Sequence, residues 1–286
     1  MDIRAVFLNC LVVFLLTAST VLAQGPDTVQ SPTENQQTAR LPTTPLFREF
    51  LRDERDLWTS LLKRETYGSH TIKKYGIPFT LLSAALISTD NKTAEFLPNT
   101  DDQKKWSGRV SNGGAAFTLA AGTGGTYLIG KITGNKHLQE TGLLALHALG
   151  HSQIVTAAVK QLTNRRRPIV LDGSAGFWNG GDSFPSGHSS TTFAVATVFA
   201  YEYRERPWIP IVAYTVASSV AASRVAAQRH WLSDIVVGGS VGFLVGRYTY
   251  KRHHDPTLPG SIVPPRNRLV PKVSVGAATA ALKWQF

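Results

Sequence analysis

From Leu46 onward, the apolar residues of the chain follow helical rather than strand periodicity. Between Phe47 and Leu62 they recur at threes and fours among charged residues, which predicts an amphipathic helix. Six moderately apolar segments follow; they are too long, and too rich in Ala, Leu and Thr without strict alternation, to be strands. They are Ile77–Thr89, Gly113–Gly130, Thr141–Val159, Ser190–Tyr201, Ile209–Ala222 and Ile235–Val245. Joined by polar connectors, these segments predict an all-α helical bundle over residues 46–252.

The first 45 residues show a different pattern. A short start containing Arg4 precedes an apolar core over Ala5–Leu16, and small residues lead to Ala23. This order is typical of a secretory signal peptide, so we expect one over residues 1–23, with an uncleaved anchor helix as the alternative. Residues 24–45 are rich in Gln, Thr and Pro, which predicts a flexible spacer. We therefore expect an exported protein, periplasmic or associated with the cell envelope.

The last part of the chain, residues 253–286, changes to a period of two. Polar and apolar residues alternate over Lys272–Val275 and again over Leu282–Phe286. A terminal aromatic strand resembles the last strand of an outer-membrane barrel, but one or two strands cannot close a barrel. The pattern favours a C-terminal extended tail, which would pair as a short hairpin.

Charge and cysteine content narrow the classes of partner. The formal net charge is +11, which favours anionic partners such as phosphate esters or an anionic membrane surface. No basic stripe interleaved with aromatic residues is present, so no nucleic-acid partner is expected. The one cysteine, Cys10, lies in the predicted signal peptide, so the mature chain would have neither a disulfide nor a thiolate metal site. A mean hydropathy of −0.06 favours a water-soluble or peripheral protein over a membrane-spanning one.

The first of three chemical motifs is basic and ends in proline. Lys160 and Arg167 are seven residues apart, so both would lie on one face if the helix continued that far. Pro168 disfavours helical geometry at Arg167, which places this arginine near a helix end. Two cationic side chains so arranged could bind one anion.

The second motif is a turn, Phe184–Gly187, that leads into His188 and an apolar helix. The first amides of a helix have no acceptor within it, so the backbone near Ser186 and Gly187 would bind an anion. An imidazolium beside that anion could give a proton to a departing oxygen, which is the role we predict for His188.

The third motif joins Arg224 to His230 and Asp234. Asp234 follows His230 by four residues, which would put both on one face of a helix that began there. A carboxylate at that distance can fix the imidazole tautomer and leave the other nitrogen free as a nucleophile. Arg224 precedes His230 by six residues, so a bend or a helix start between them is needed if both are to face one ligand.

Together, these motifs resemble the superfamily of type 2 phosphatidic acid phosphatases and vanadium haloperoxidases. The pattern of that superfamily is matched at every position by Lys160…Arg167-Pro168, Pro185-Ser186-Gly187-His188 and Ser223-Arg224…His230…Asp234. The motifs span Lys160 to Asp234, and the helical layout extends the likeness to about Leu46–Tyr250. The resemblance implies a helical bundle of the acid phosphatase type.

The resemblance also implies a role for each motif residue. Lys160, Arg167 and Arg224 would bind the phosphate oxygens, assisted by Ser186 and the Gly187 amide. His230 would attack phosphorus and become a phosphohistidine, Asp234 would orient it, and His188 would protonate the leaving oxygen and then help activate water. No metal or other cofactor is implied, because three cationic side chains supply the electrostatic stabilisation. Vanadate could bind in the same place as an inhibitor.

The sequence thus predicts a metal-independent phosphatase for phosphomonoesters or diphosphates, with a lipid phosphate favoured over a soluble one. Two alternatives stay open at this point. One is a haloperoxidase that holds vanadate as its prosthetic group, and the other is a non-catalytic anion-binding protein of the envelope.

Several residues outside the motifs allow two interpretations. His147 and His151, four apart, could form a metal pair, but without an identified third ligand we favour a packed polar helix. Phe177-Trp178 could line the pocket mouth, although packing on the core is favoured. Arg165 and Arg166 could contact lipid head groups or lie in a solvated loop end, and His253-His254 is predicted to lie on the surface.

Overall fold

A computed structural model describes residues 46–60, 76–98, 100–168, 176–258, 272–276 and 279–283. The predicted signal peptide and spacer, residues 1–45, lie outside the described residues. The limits of the helical domain therefore stay a prediction.

Within the described residues the fold is all-α, as predicted, apart from the C-terminal tail. The helices are α1 Leu46–Ser60, α2 Ile77–Phe96, α3 Asp101–Gly113, α4 Ala116–Thr133, α5 Lys136–Thr163, α6 Gly187–Glu202, α7 Trp208–Ala226 and α8 Leu232–His253. Each predicted apolar segment corresponds to a helix, and the helix extends into polar residues beyond it at one or both ends. Polar end residues carry no periodic signal, which is why most predicted bounds were too short. The α4 segment was instead predicted to start too early, at Gly113, which is the last residue of α3.

Helix α3 is the one described helix that the apolar pattern did not predict, because its residues were assigned to a polar connector. It begins with an ordinary start signal: the Thr100 side chain accepts a hydrogen bond from the Gln103 amide, and Asp101 and Asp102 occupy the first turn. Gln103 then donates from Nε2 to the Ala226 carbonyl oxygen at 2.7 Å. This contact attaches α3 to the end of α7.

The tail forms a short antiparallel hairpin, as predicted. Strand β1 (Lys272–Gly276) pairs with strand β2 (Thr279–Lys283), in a register that sets Lys272 opposite Lys283 and Gly276 opposite Thr279.

Helix α6 is the centre of the bundle and is buried along most of its length. Phe193 packs with Tyr214 and Ala217 of α7 and with Ile235 of α8. On its other side, Ala194 and Val198 pack against Leu144 and neighbouring residues of α5. The N-terminus of α6, which carries the second motif, is therefore fixed by helices on several sides.

A stripe of glycines on α8 sets its distance from α6. A Cβ atom at Gly238 would lie 2.6 Å from the Ser186 carbonyl oxygen, and Cβ atoms at Gly242 and Gly246 would meet the carbonyl oxygens of Ser190 and Ala194. Any side chain here would force the helices apart. The close approach brings the starts of α6 and α8, and hence the second and third motifs, together.

Two of the described helices, α5 and α7, are long and apolar enough to cross a bilayer, judged by length and composition alone. Two such helices are weak evidence for a membrane protein, because core helices of soluble proteins pass the same test.

We predict that Gly242→Ala lowers the free energy of unfolding by about 1–3 kcal/mol, because the added methyl group meets the α6 backbone. Gly122→Ala is the matched control, since a Cβ at this glycine of α4 would have nothing within 4 Å. It should stabilise the helix by about 0.5–1 kcal/mol. Chemical denaturation of both variants checks this, and equal effects of the two substitutions would contradict the proposed packing.

Candidate active site

Three parts of the chain bring the predicted site residues to one end of the bundle. Lys160 lies in the last turn of α5, Ser186 to His188 start α6, and Arg224 lies in the last turn of α7. Burial lowers the pKa of His188 to about 4, and the positive charges of Arg224, Lys160 and Arg167 contribute. The His188 imidazole therefore lies close enough to the cationic side chains of the other motifs for their charges to lower its pKa.

His230 is buried, and its tautomer is set by a backbone group that the sequence did not indicate. Its Nδ1 lies 2.8 Å from the Ser183 carbonyl oxygen and 3.4 Å from Asp234 Oδ2. A carbonyl oxygen can only accept, so Nδ1 carries the proton and Nε2 keeps its lone pair. Burial lowers the His230 pKa despite the opposing effect of Asp234, so the ring stays neutral at neutral pH.

The spacing of His230 and Asp234 does not arise from one helix face, which is a correction to the prediction. His230 precedes α8, and Asp234 lies in the first turn of that helix, where its Oδ2 accepts from the Trp231 amide at 3.0 Å. The carboxylate thus caps the helix, and the chain turns before it. Ser183 Oγ also donates to Asp234 Oδ2.

Arg165 is a positioning residue that the sequence analysis placed wrongly. It was expected in a solvated loop end or at a lipid head group, but its exposure is 0%. Its NH1 donates to Asp234 Oδ1 at 2.6 Å and its NH2 donates to Asp90 Oδ2 at 2.7 Å. The ring of Phe177 lies 4.7 Å from its guanidinium carbon. Two carboxylates compensate the charge and an aromatic face covers it, so the guanidinium is stable inside the protein.

This ion network helps to lower the pKa of Asp234. Burial alone would raise the pKa of Asp234, but hydrogen bonding from His230, the charge of Arg165 and the Ser183 hydroxyl outweigh it. The pKa of Asp234 is therefore below its ordinary value, and the carboxylate stays ionised. Asp90, in contrast, has a raised pKa, because burial outweighs its bonds to Ser233 and Arg165.

Unlike Arg165, which was considered but placed wrongly, Asp90 and Ser183 were missed at the sequence level. Asp90 lies in α2, far along the chain from the motifs, and looks like any acidic residue near a helix end. Its Oδ1 accepts from the Ser233 amide at 3.1 Å and its Oδ2 from Arg165. The one available signal was a lone acidic residue next to an apolar helical run, which is too common to be diagnostic.

Lys160 and Arg167 converge on one acidic residue without sharing a helix. Helix α5 ends at Thr163, and Asn164 adopts a left-handed conformation with φ of 42°. The helix therefore does not continue to Arg167, so Lys160 and Arg167 do not share a helix face. Arg167 binds the Asp182 carboxylate with two hydrogen bonds of 2.8 and 2.7 Å, and Lys160 Nζ donates to the Asp182 backbone oxygen. Because the Asp182 side chain is 63% exposed, it can move away when another anion binds.

Arg224 reaches His230 through the bend that its sequence spacing required. Helix α7 ends at Ala226, and the amides of Arg229 and His230 both donate to the Arg224 carbonyl oxygen, at 3.0 and 3.3 Å. NH1 of Arg224 donates to Ser111 Oγ at 2.6 Å, and its buried Nε has no partner among the described residues. Burial lowers the Arg224 pKa to about 10, which still leaves the side chain charged at neutral pH.

Ser186 and Gly187 start α6 in the geometry expected of an anion site. Ser186 is the N-cap, and its side chain accepts from the Ser189 amide at 3.5 Å. Its own amide donates to the Asp234 carbonyl oxygen at 3.0 Å, which joins the two helix starts. Gly187 is the first helical residue, so its amide is directed away from the helix, at the positive end of the helix dipole.

Three of the remaining candidate histidines, His151, His253 and His254, bind carboxylates, whereas Nδ1 of His147 is buried without a hydrogen-bond partner among the described residues. His151 is buried, with Nδ1 2.6 Å from Glu54 Oε1, and its ring stacks on Phe50 at 4.3 Å. His253 and His254 are not on the surface as predicted; they bind Asp53 and Glu202.

Phe177 and Trp178 divide between the two interpretations offered for them. Phe177 packs inward against Arg165, whereas Trp178 is 77% exposed.

Taken together, the site offers three cationic side chains, helix-start amides, a neutral imidazole with a free lone pair and a second imidazole beside the cations. Such a set can bind a tetrahedral oxyanion, attack its centre and protonate a leaving oxygen.

Comparisons with known proteins agree with this chemistry. Residues 141–257 match the model of the PAP2 superfamily, and every predicted motif residue lies within that range. Over these residues the chain is therefore similar to that superfamily.

Two curated relatives carry named activities. The lipid A 1-phosphatase of Porphyromonas gingivalis is 42% identical over 111 residues, which cover 38% of this chain and 23% of that protein. The phosphatidylglycerophosphatase B of Bacillus subtilis is 30% identical over 116 residues, covering 36% of this chain and 54% of that protein. The matched segment thus spans about a quarter and about half of these relatives.

Among solved structures, Aquifex aeolicus LpxE is similar at 20% identity and a TM-score of 0.44, over 59% of this chain and 95% of that chain.

We predict that binding of inorganic phosphate raises the pKa of His188. In the free protein burial, with a further contribution from the surrounding cations, lowers this pKa to about 4. A bound dianion offsets their charge and stabilises the imidazolium, so the pKa should rise by about one unit or more. NMR titration of labelled histidines measures it, with His147 as the control because its pKa is also lowered to about 4 but by burial outside the site. An unchanged His188 pKa at saturating phosphate would contradict the site.

Proposed function

We propose that this protein is a metal-independent phosphatase that hydrolyses lipid phosphomonoesters or diphosphates through a phosphohistidine at His230. The observation that carries the proposal is the neutral, buried His230, whose Nδ1 faces the Ser183 carbonyl oxygen at 2.8 Å beside a set of cations. With its proton on Nδ1, this imidazole has its lone pair on Nε2, which could attack the phosphorus of a bound phosphate. Binding alone would not require that arrangement.

The reaction proceeds in two steps. Lys160, Arg167 and Arg224 bind the phosphate oxygens, and Nε2 of His230 attacks phosphorus while His188 gives a proton to the leaving alcohol or phosphate. His188, now neutral, then takes a proton from water as that water attacks the phosphohistidine. Phosphate leaves and His230 regains its lone pair. Asp234 stabilises the positive charge that develops on His230.

The preference for a lipid is supported by an apolar groove along the face of α6 that carries His188. The groove has a volume of about 280 Å³ and runs between α4, α6 and α7. Thr192, Val195 and Phe199 line it, and they share the face of α6 that carries His188. Thr192 bonds through Oγ1 to the His188 carbonyl oxygen at 2.6 Å. An acyl chain in this groove would place its phosphate at the cationic site.

Exposed apolar side chains on α4 and α7 support contact with a membrane surface. Phe117 is 75% exposed and Ile132 84% on α4, and Trp208 is 60% exposed and Ile211 66% on α7. Apolar surface of this kind marks interaction sites. The net charge of +11 would add attraction to anionic lipids. The named activities of the two curated relatives, both lipid phosphatases, point the same way. We therefore propose an envelope location, reached by export.

We predict that rapid quenching with labelled substrate traps an acid-labile, base-stable phosphoenzyme that needs His230. His230→Ala should form none and lose turnover by roughly four to six orders of magnitude. Asp234→Asn should form it slowly, with turnover lowered on the order of 10²–10⁴-fold. His188→Ala is the matched control: with p-nitrophenyl phosphate, a good leaving group, it should form the phosphoenzyme but release it slowly, so the intermediate accumulates.

Two outcomes would contradict the proposal. Labelled enzyme from His230→Ala would assign the nucleophile elsewhere. The haloperoxidase would be favoured if the protein hydrolysed no phosphate ester but, loaded with vanadate and given peroxide and bromide, brominated rapidly. If the protein showed neither hydrolysis nor bromination, the anion-binding protein would be favoured.

We predict that Val212→Trp, which fills the groove, lowers the selectivity for long-chain over water-soluble phosphate esters. Val212 lines the groove from α7. If the substitution removes the contacts of two methylene groups of the long chain, each contributes about 0.8 kcal/mol less. The ratio of kcat/KM for the long-chain ester to kcat/KM for the soluble ester then falls roughly tenfold. Leu244→Trp is the control, because Leu244 is 61% exposed on α8 and does not line the groove. Equal effects on both substrates would show that the groove does not bind the chain.

A further inference from the structure

A cluster of potential metal ligands lies at the end of the bundle opposite the catalytic residues. It consists of Glu140 near the start of α5, Glu202 at the end of α6 and His254 directly after α8. One ligand atom from each of these residues lies within 4.8 Å of the other two. The cluster thus joins three helix ends at the point where the C-terminal tail begins.

The distances within the cluster are close to those between ligands of one metal ion. Nδ1 of His254 lies 3.1 Å from Glu202 Oε1 and 3.9 Å from Glu140 Oε1. Ligands held about 2.0–2.2 Å from a tetrahedral zinc ion are separated by roughly 3.3–3.6 Å. Small side-chain movements would therefore complete the geometry.

Neighbouring residues hold these ligands in orientation. The His254 ring stacks on Tyr250 at 4.5 Å and 20°, which directs Nδ1 toward the two carboxylates. Behind Glu202, Nε2 of His137 bonds to Oε2 at 2.8 Å and leaves Oε1 toward His254. A partner of this kind behind a ligand is the usual support of a metal site.

Burial of the two carboxylates favours a bound cation. The Glu202 side chain is 0% exposed and that of Glu140 is 11% exposed. Glu140 Oε1 accepts from the Asp255 amide at 2.6 Å, but Oε2 is buried without a partner among the described residues. Leaving a carboxylate oxygen buried and unpaired is costly, and a cation at the centre of the cluster would satisfy it.

The second histidine–carboxylate cluster, around Asp53, does not share this feature. Both Asp53 oxygens are engaged, Oδ1 by Arg252 at 2.7 Å and Oδ2 by His253 at 2.6 Å. A guanidinium already supplies the positive charge there. That cluster is an ion-pair network, and it provides a matched control.

We propose that Glu140, Glu202 and His254 bind a divalent transition-metal ion of the zinc class, with a water molecule as the fourth ligand. Imidazole and carboxylate together suit zinc. The site is structural rather than catalytic, because the 14 residues from His188 to Glu202 on α6 span about 21 Å at 1.5 Å per residue. The ion would fasten α5, α6 and α8 together.

The test is zinc titration of the full-length, chelator-treated protein, followed by calorimetry and by metal analysis after gel filtration. We expect one zinc ion per chain and a higher Tm when it is bound. Glu140→Gln and His254→Gln should weaken binding about 100-fold or more, and His137→Ala about 10–100-fold. The control His253→Gln, in the other cluster, should bind zinc as tightly as the unaltered protein. Circular dichroism checks that each variant is folded.

Absence of stoichiometric zinc, or unchanged binding in folded Glu140→Gln, would overturn the proposal. Loss of hydrolysis on removal of zinc from still-folded protein would overturn its structural role. Because binding is measured without substrate, the result is independent of the proposed phosphatase activity.

Discussion

The buried guanidinium of Arg165 is the interaction on which the active-site geometry depends. It lies between Asp90 of α2 and Asp234 of α8, with both ion pairs at 2.6–2.7 Å and no solvent exposure at any of the three side chains. A buried charge is tolerated only with such compensation, so each member requires the others. The network fixes Asp234, and Asp234 in turn caps α8 and faces His230.

The rest of the site follows from this constraint and from the close contact of α6 with α8. The Ser186 amide donates to the Asp234 carbonyl oxygen, so the two helix starts share a hydrogen bond as well as the glycine stripe. Burial, together with the cations gathered around it, lowers the pKa of His188 to about 4 in the free protein. An anion bound among these cations would raise the pKa of His188, and the proposed mechanism requires a protonated His188 as its general acid.

The sequence predicted the helical fold, and its three motifs named residues that the fold brings to one end of the bundle. Apolar segments marked their helices because burial requires apolar faces, and the three motifs carried the residues around His188. Helix α3 was missed because its start signals, Thr100 and Asp101, were not weighed in a segment without an apolar stripe. Arg165 was misplaced and Asp90 was missed, because their pairing depends on a contact between residues 75 positions apart. Likewise, only the fold could show that the Ser183 carbonyl, nearer than Asp234, sets the His230 tautomer.

The most direct test of this account is the pH profile of kcat/KM for the double variant Arg165→Met/Asp90→Asn. The change removes one positive and one negative buried charge, so the fold should survive, while Asp234 loses its cation. Because Arg165 helps hold the Asp234 pKa below its ordinary value, that pKa should rise in the variant, and the acid limb of the profile should move to higher pH. The single variant Asp90→Asn, which keeps Arg165 on Asp234, should show no upward shift. An acid limb unchanged from that of the unaltered protein in a folded double variant would contradict the claim that Arg165 positions and ionises Asp234.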